Sequence, residues 1–256
     1  MTEPPAYPTG HGLLEGKKVL VTAAAGTGIG FATAKRCAEE GATVAISDWH
    51  ERRLGESAVA LGEVMGNQPI AVQCDVTVEA DVQRMFDAVG DFDVLVNNAG
   101  LGGTAELAEM TDENWSRVLD VTLTGTMRCT RAALQRLRAN GHGGAIVNNA
   151  SVIGWRAQPG QSHYAAAKAG VMALTRTAAV EGAAFGVRVN AVAPSLAMHA
   201  NLAKVTSDEL LAELTAREAF GRAAQPWEIA NVIIFLASEY ASYLTGEVIS
   251  ASSQHP

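Results

Sequence analysis

Short apolar runs rich in Val and Ile alternate along the chain with longer stretches whose apolar positions recur every three or four residues. The runs fall at 18–22, 43–48, 70–74, 93–96, 145–150, 187–192 and 246–250. Each is four to eight residues long and bounded by Gly, Asn, Asp or Pro, which predicts buried strands. Between them, residues 31–40 (closed by Gly41), a stretch running to about 65, 78–89, 112–138, about 162–185 and 226–238 predict helices. Only Gly125 breaks the 112–138 stretch, and Pro226 sits at a first helical turn, where its missing N–H costs nothing. Strands alternating with helices predict an α/β domain: a doubly wound, mostly parallel seven-stranded sheet with helices on both faces. Residues 1–12 are rich in Pro and Gly and read as a loose tail, not a signal peptide; 13–256 read as one domain. The polar, weakly patterned segment at about 195–220 is expected to hold short helices and to cap a site.

Composition narrows the class. The 256 residues are 48% hydrophobic but only 5% aromatic, with 25 glycines, which suits close packing of helices on a sheet. The net charge of −8, without a run of Lys or Arg, argues against nucleic acid and against an anionic membrane surface. No apolar run approaches the ~20 residues of a membrane span. Cys37, Cys74 and Cys129 lie far apart without metal-ligand spacing, and read as reduced, packed thiols of a cytoplasmic protein. No metal site is expected.

Three places carry candidate chemistry. The first is Gly-rich sequence directly after the first strand: Thr22, then Gly26, Thr27, Gly28, Ile29 and Gly30, opening a helix. Strand, Gly-rich turn and helix are the context of a dinucleotide site, where the backbone approaches a pyrophosphate and the helix N-terminus supplies N–H donors. The second is Asp48, which ends the second strand. An acid there can hydrogen-bond the adenine-ribose hydroxyls of NAD and repel the 2′-phosphate of NADP; Arg52 and Arg53 just beyond keep NADP open as the alternative. Asp75, with Val76, can meet the adenine edge. Asn97, Asn98, Ala99 and Gly100 end the fourth strand, with small residues for close approach and amides that can tie strands together. The third is Tyr164 with Lys168, one helical turn apart on one face. A nearby ammonium favours phenolate and lowers a tyrosine's pKa, so the pair reads as a general acid/base unit.

Assembled, these residues resemble the short-chain dehydrogenase/reductase family over nearly the whole chain. Carrying the resemblance are the 22–30 turn, Asp75-Val76, Asn97-Asn98-Ala99-Gly100, Ser151 with Tyr164 thirteen residues later, Lys168, Arg188 through Pro194, and Tyr243-Leu244-Thr245-Gly246. The resemblance implies a Rossmann-type fold and a nicotinamide cofactor, NAD first and NADP second. It implies that Tyr164 exchanges the proton at the substrate oxygen, that Lys168 lowers its pKa and holds the nicotinamide ribose, and that Ser151 donates to the substrate oxygen. It places Thr22, the turn residues, Asp48, Asp75, Val76, Asn98, Ala99, Gly100, Tyr164, Lys168 and Pro194 at the cofactor, and implies a homotetramer.

The chain also departs from the family pattern. Ala23 stands where Gly follows Thr, and the turn is one residue longer. Thr122 occupies the position of the Asn that holds a relay water; its hydroxyl is a candidate for the same task. Ser195, Ala197 and His199 replace the usual Gly and Ile-x-Thr after Pro194, and Ser252-Ser253-Gln254 replaces Asp-Gly-Gly. The long turn, residues 47–54, residues 148–156 and the ending 252–256 resemble an actinobacterial subgroup associated with breaking down steroid rings as coenzyme A thioesters. An oxidoreductase interconverting a secondary alcohol and a ketone on a bulky apolar or acyl-CoA substrate is therefore expected. Trp155 and the 196–202 stretch, Leu196 included, are candidates for an apolar pocket. Arg156, Lys204, Arg217 and Arg222 are candidates for a phosphate or carboxylate at its mouth. Two alternatives remain: an NADPH-dependent 3-oxoacyl-thioester reductase, and a non-catalytic dinucleotide-binding sensor or scaffold. His163 and His199 lie near the site in sequence and receive no role.

Overall fold

The structure is a computed structural model that describes residues 3–198 and 208–254. His199, Leu202, Lys204 and part of the expected capping segment lie outside the described residues. Seven strands form one parallel sheet: β1 (Lys18–Val21), β2 (Thr43–Asp48), β3 (Ile70–Gln73), β4 (Val94–Asn97), β5 (Gly144–Asn149), β6 (Val187–Pro194) and β7 (Val248–Ala251). Their order is β3-β2-β1-β4-β5-β6-β7, with every pairing parallel. The helices are α1 (Ile29–Glu39), α2 (Glu51–Met65), α3 (Glu79–Val89), α4 (Asp112–Leu119), α5 (Gly125–Asn140), α6 (Ser162–Ala183), α7 (Asp208–Ala216) and α8 (Pro226–Ala237).

The period of two in the strands sorts their side chains into two layers. Val19, Val21, Val44, Ile46, Val94 and Val96 face the cluster that holds Leu61 of α2 and Ile229 and Ile233 of α8. Leu20, Ala45 and Leu95, between them in sequence, face the cluster of Phe86, Cys129, Leu137 and Ala178. Both sheet faces are thus covered, and the strands read as nearly continuous apolar runs. The helix ends follow their local chemistry. Gly66 and Gly141 close α2 and α5 in the left-handed region, at φ 74° and 75°. Gln225 and Glu228 form a reciprocal cap at the start of α8.

Two expectations need correction. Gly125 does not break the long helix; the departure precedes it, as a π turn over Asp120–Thr124, and α5 continues from Gly125 itself. The close approach of Val76 explains that glycine, since a methyl group there would sit 2.6 Å from a Val76 Cγ. The segment read as a loose tail is tied down from Tyr7 onward. Tyr7 donates to Glu39 at 2.7 Å and meets Trp227 edge-on, and the N–H of His11 donates to Glu40 at 2.8 Å.

Candidate active site

The chain reverses direction across the sheet between β1 and β4, and the carboxyl ends of the strands form a crevice there. Thr22 spans it: its N–H donates to Val96, and its hydroxyl oxygen accepts from the N–H groups of Asn98 and Ala99 at 3.0 and 3.2 Å. The Gly-rich turn folds over this seam. A methyl group at Gly30 would lie 2.3 Å from the Ala23 carbonyl oxygen and 2.4 Å from the Asn98 amide nitrogen, so only glycine fits. Ala23, the residue standing where the family has Gly, carries φ 49°, the one positive φ at a non-glycine residue among the described residues. An L-residue there costs about 1–2 kcal/mol, and the bond from Asn98 to its carbonyl at 2.9 Å holds it in place.

The α1 N-terminus fits a dinucleotide's pyrophosphate. Gly28 caps it without a side-chain bond, and its first turn holds no acid, so its N–H groups remain free for an anion. Gly26, at φ 93°, leaves open space where a side chain would be. Asp48 is buried at the end of β2; one oxygen accepts from Ala25 at 3.2 Å and the other from His50 at 2.9 Å. Those bonds aim the carboxylate while leaving lone pairs for ribose hydroxyls. Arg52 is exposed and paired with Glu56 at 2.5 Å. Asp75 spends one oxygen on Thr77, and the Val76 side chain is buried, so Val76 presents backbone only.

Ser151, Tyr164 and Lys168 come together across β5 and α6. Ser151 accepts from the N–H of Ile153 at 3.2 Å, which leaves its own proton free to donate, and its hydroxyl holds the Tyr164 pKa down. Lys168 is buried, with Nζ donating to the Asn149 carbonyl at 2.6 Å and lying 5.5 Å from the centre of the Tyr164 ring. Lys168 is not among the influences that set the Tyr164 pKa in the cofactor-free chain. Burial pushes Tyr164 up from its ordinary value, and the one opposing influence is the Ser151 hydroxyl. Burial also pushes Lys168 down to about 8, since no carboxylate compensates its charge.

Asn149 is the link that residue-by-residue reading missed. Its carbonyl holds Lys168, its side-chain N–H donates to Asn98 at 2.9 Å, and Asn98 donates to Ala23. A chain of amides thus joins the lysine to the Gly-rich turn. Thr122 is buried and bonded to the loop after Gly100. Its oxygen accepts from the N–H of Leu101 at 2.9 Å and its one proton goes to the carbonyl of Leu101 at 3.1 Å, pinning the loop after Gly100.

The expected substrate residues meet different fates. Trp155 is exposed on a turn. Arg156 donates to Gln254, whose amide donates to Glu218 at 2.7 Å. Glu218, buried, also accepts from Ser253 at 2.7 Å and from the N–H of Leu196 at 3.3 Å. Arg156, Leu196 and the chain end therefore converge on one carboxylate that no sequence motif marks. Arg217 and Arg222 pair with Glu213 and Glu228, so neither offers a free cation. Pro194 ends β6 beside Ala251 of β7. The three cysteines are buried and free, no cluster able to hold a metal occurs among the described residues, and no described helix is long and apolar enough to cross a membrane.

A doubly wound sheet with an uncapped phosphate-binding turn and a Ser–Tyr–Lys cluster over its crevice defines a dinucleotide-dependent oxidoreductase. The family described as enoyl-(acyl carrier protein) reductase matches residues 23–253, and the chain belongs to the short-chain dehydrogenase/reductase family. It is 63% identical over 251 residues to the (5R,7aS)-5-hydroxy-7a-methyl-1-oxo-2,3,5,6,7,7a-hexahydro-1H-indene-carboxyl-CoA reductase of Mycobacterium tuberculosis, covering 96% of each chain. It is 43% identical to the cis-4-hydroxycyclohexanecarboxylate dehydrogenase of Sinomonas cyclohexanicum, covering 91% of this chain and 94% of that one. It is 38% identical to a 3-oxoacyl-[acyl-carrier-protein] reductase of Staphylococcus aureus, covering 91% and 95%. A short chain dehydrogenase from Mycobacterium smegmatis superimposes with a TM-score of 0.88 at 57% identity over 99% of both chains. The protein is an NAD(P)(H)-dependent oxidoreductase acting on CH–OH and ketone groups.

Proposed function

We propose that the protein interconverts a ring ketone and its secondary alcohol on a coenzyme A thioester derived from a steroid ring, with NAD(H) as the preferred cofactor. The observation carrying the chemistry is buried Lys168 with its Nζ 5.5 Å from the centre of the Tyr164 ring and held by the Asn149 carbonyl, beside Ser151; the substrate class rests on likeness to the mycobacterial reductase. In reduction, the Tyr164 hydroxyl gives its proton to the ketone oxygen as the carbonyl carbon gains a hydride. In oxidation, Tyr164 takes that proton back. Ser151 donates to the oxygen on which negative charge develops. Lys168, held by Asn149, places its ammonium where phenolate forms and where a nicotinamide ribose would bind. The nicotinamide supplies or accepts the hydride. Thr22, Gly26, Thr27, Gly28, Ile29 and Gly30 would hold the pyrophosphate side, with Asp48 on the adenine ribose and Asp75 and Val76 at the adenine. Asn98, Ala99, Gly100 and Pro194 would line the nicotinamide half.

Cofactor titration tests the cofactor assignment. NAD(H) should bind at least about tenfold more tightly than NADP(H), the scale of one to two charge-assisted hydrogen bonds. Asp48→Ala should erase that gap. A wild-type preference for NADPH would instead favour the 3-oxoacyl-thioester reductase reading, which likeness to the Staphylococcus aureus enzyme supports. We also assign a homotetramer, supported by Val180, Tyr240 and Tyr243, which are 78%, 77% and 100% exposed in the single chain. Light scattering should give four chains; a monomer at micromolar concentration would refute it.

A further inference from the structure

The Gly-rich turn divides into two halves by where its N–H groups go. In the first half they are spent. Ala24 donates to the Ser47 carbonyl at 3.0 Å, Ala25 to the Asp48 carboxylate at 3.2 Å, and Gly26 to the Ser57 hydroxyl oxygen at 3.0 Å. Three consecutive amides are therefore fastened to the end of β2 and to α2. In the second half, from Thr27 onward, the chain runs into the α1 N-terminus, where no side chain caps the helix. Anion-holding capacity is thus kept at the pyrophosphate end of the turn and withdrawn from the end that touches Asp48.

Ser57 is out of place on its helix unless it serves that turn. The other large residues on the buried face of α2, Leu54 and Leu61, are apolar and belong to the core, as does Ala58. Ser57 is itself only 5% exposed, and a hydroxyl buried without a bond costs free energy. The Gly26 N–H supplies that bond. Gly26 holds φ 93°, a conformation that favours glycine, and it belongs to the turn that is one residue longer than the family pattern. Sequence, backbone conformation and hydrogen bonding therefore agree on a built contact between the lengthened turn and α2.

We infer that Ser57 is a specificity-determining residue for the cofactor: by holding the Gly26 N–H, it denies a 2′-phosphate the donor that would otherwise stand beside Asp48. The inference rests on the reading of Asp48 as the ligand of the adenine ribose. Asp48 accepts from Ala25, and Gly26 follows about 3.8 Å further along the chain, so both amides lie beside the carboxylate that would meet the ribose. A phosphate there needs N–H or cationic donors. Both amides are occupied, and Arg52 is paired with Glu56. Asp48 repels the phosphate by its charge, and Ser57 removes a donor that could compensate. Two residues on different elements thus act in the same direction. Arg53, one helical turn before Ser57, has a buried Nε without a partner, so its contribution has to be separated by a variant that lacks it.

Fluorescence titration of the full chain with NADH and with NADPH tests this without requiring turnover. Alanine suits a buried helical position, so Ser57→Ala should keep the fold. The variant should bind NADPH about tenfold more tightly than wild type does, the scale of one hydrogen bond to a charged group. Its NADH affinity should change by less than about threefold. The same gain should appear when Ser57→Ala is made in an Arg53→Met background, which places the new donor in the turn. Glycine-labelled NMR reads the site itself: the Gly26 amide signal should respond to adenosine 2′,5′-bisphosphate in Ser57→Ala and not in wild type. A merely structural tie would weaken both cofactors together and leave that signal indifferent to the ligand. An unchanged ratio of the two affinities, a fall in both, or a gain that vanishes in the Arg53→Met background overturns the inference. Failure of the Asp48 reading would show elsewhere, as a preference of the wild type for NADPH or as a preference for NADH that survives Asp48→Ala.

Discussion

The two sides of the crevice are held by different kinds of bond. On the cofactor side the fixed points are backbone groups. Thr22 accepts from two main-chain N–H groups, Asn98 donates to the Ala23 carbonyl, and Lys168 donates to the Asn149 carbonyl. On the substrate side the fixed points are mostly side chains: Arg156 to Gln254, and Gln254 and Ser253 to Glu218. Backbone acceptors persist whatever residue is substituted around them, whereas a side-chain latch changes with a single codon. The first arrangement suits a cofactor shared by many relatives, and the second suits a substrate that differs between them. Ala23, a departure from the family on the cofactor side, is absorbed by strain at one residue.

The largest effect should come from the proton-transfer group between the two sides. Tyr164→Phe should lower kcat/KM by about 10²–10⁴, the range for a positioned general acid, with NADH binding nearly unchanged, as read by steady-state kinetics and fluorescence titration. An equal fall in NADH affinity would place Tyr164 among the binding groups alone. Lys168 sharpens the contrast, because there the cofactor side trades stability for function. Its folded pKa is about 8 against 10.5 for the free side chain. Between those values the unfolded chain binds more protons, so stability rises with pH through that window. Below pH 8 the folded protein carries the full cost of a buried charge. Lys168→Met should therefore stabilise the cofactor-free protein by about 1–3 kcal/mol at pH 7, taken from the 1.36 kcal/mol per pKa unit and reduced by the lost bond to Asn149. The gain should fade by about pH 10.5 while activity is lost throughout. Denaturant melts across pH 6–10 would show it, and a destabilised variant at pH 7 would refute it.

That asymmetry also decides what the sequence made legible. Strand periodicity, the Gly-rich turn and the Tyr164–Lys168 spacing are local, because each arises within one element and is read along it. The seven strands and their parallel arrangement followed from such patterns, with ends displaced by one or two residues. What escaped was set by contacts distant in sequence. The π turn at Asp120–Thr124 carries no breaker residue, and Gly125, which looked like one, answers to Val76 about 50 positions away. The upward push on Tyr164 depends on how much protein surrounds it. Glu218 is a lone acid in a polar stretch until the chain end folds back upon it.

The smallest effect tests whether the side-chain latch tunes the substrate or only holds the fold. Gln254 receives the Arg156 guanidinium and donates to Glu218, which also holds the Leu196 N–H. Gln254→Ala leaves Glu218 its bonds from Ser253 and Leu196, so the buried carboxylate keeps partners and global stability should fall by no more than about 1 kcal/mol, one net hydrogen bond. Arg156 is then freed from Gln254, and the loop that carries it loses a tether to the chain end. The expected result is a several-fold rise in KM for the ketone substrate with kcat and NADH affinity unchanged, since the Ser151–Tyr164–Lys168 cluster is tied to Asn149 and not to the latch. A drop in kcat at constant KM would mean that the two sides of the crevice are mechanically joined. The backbone anchors of the cofactor side would then no longer isolate the chemistry from changes in the substrate wall.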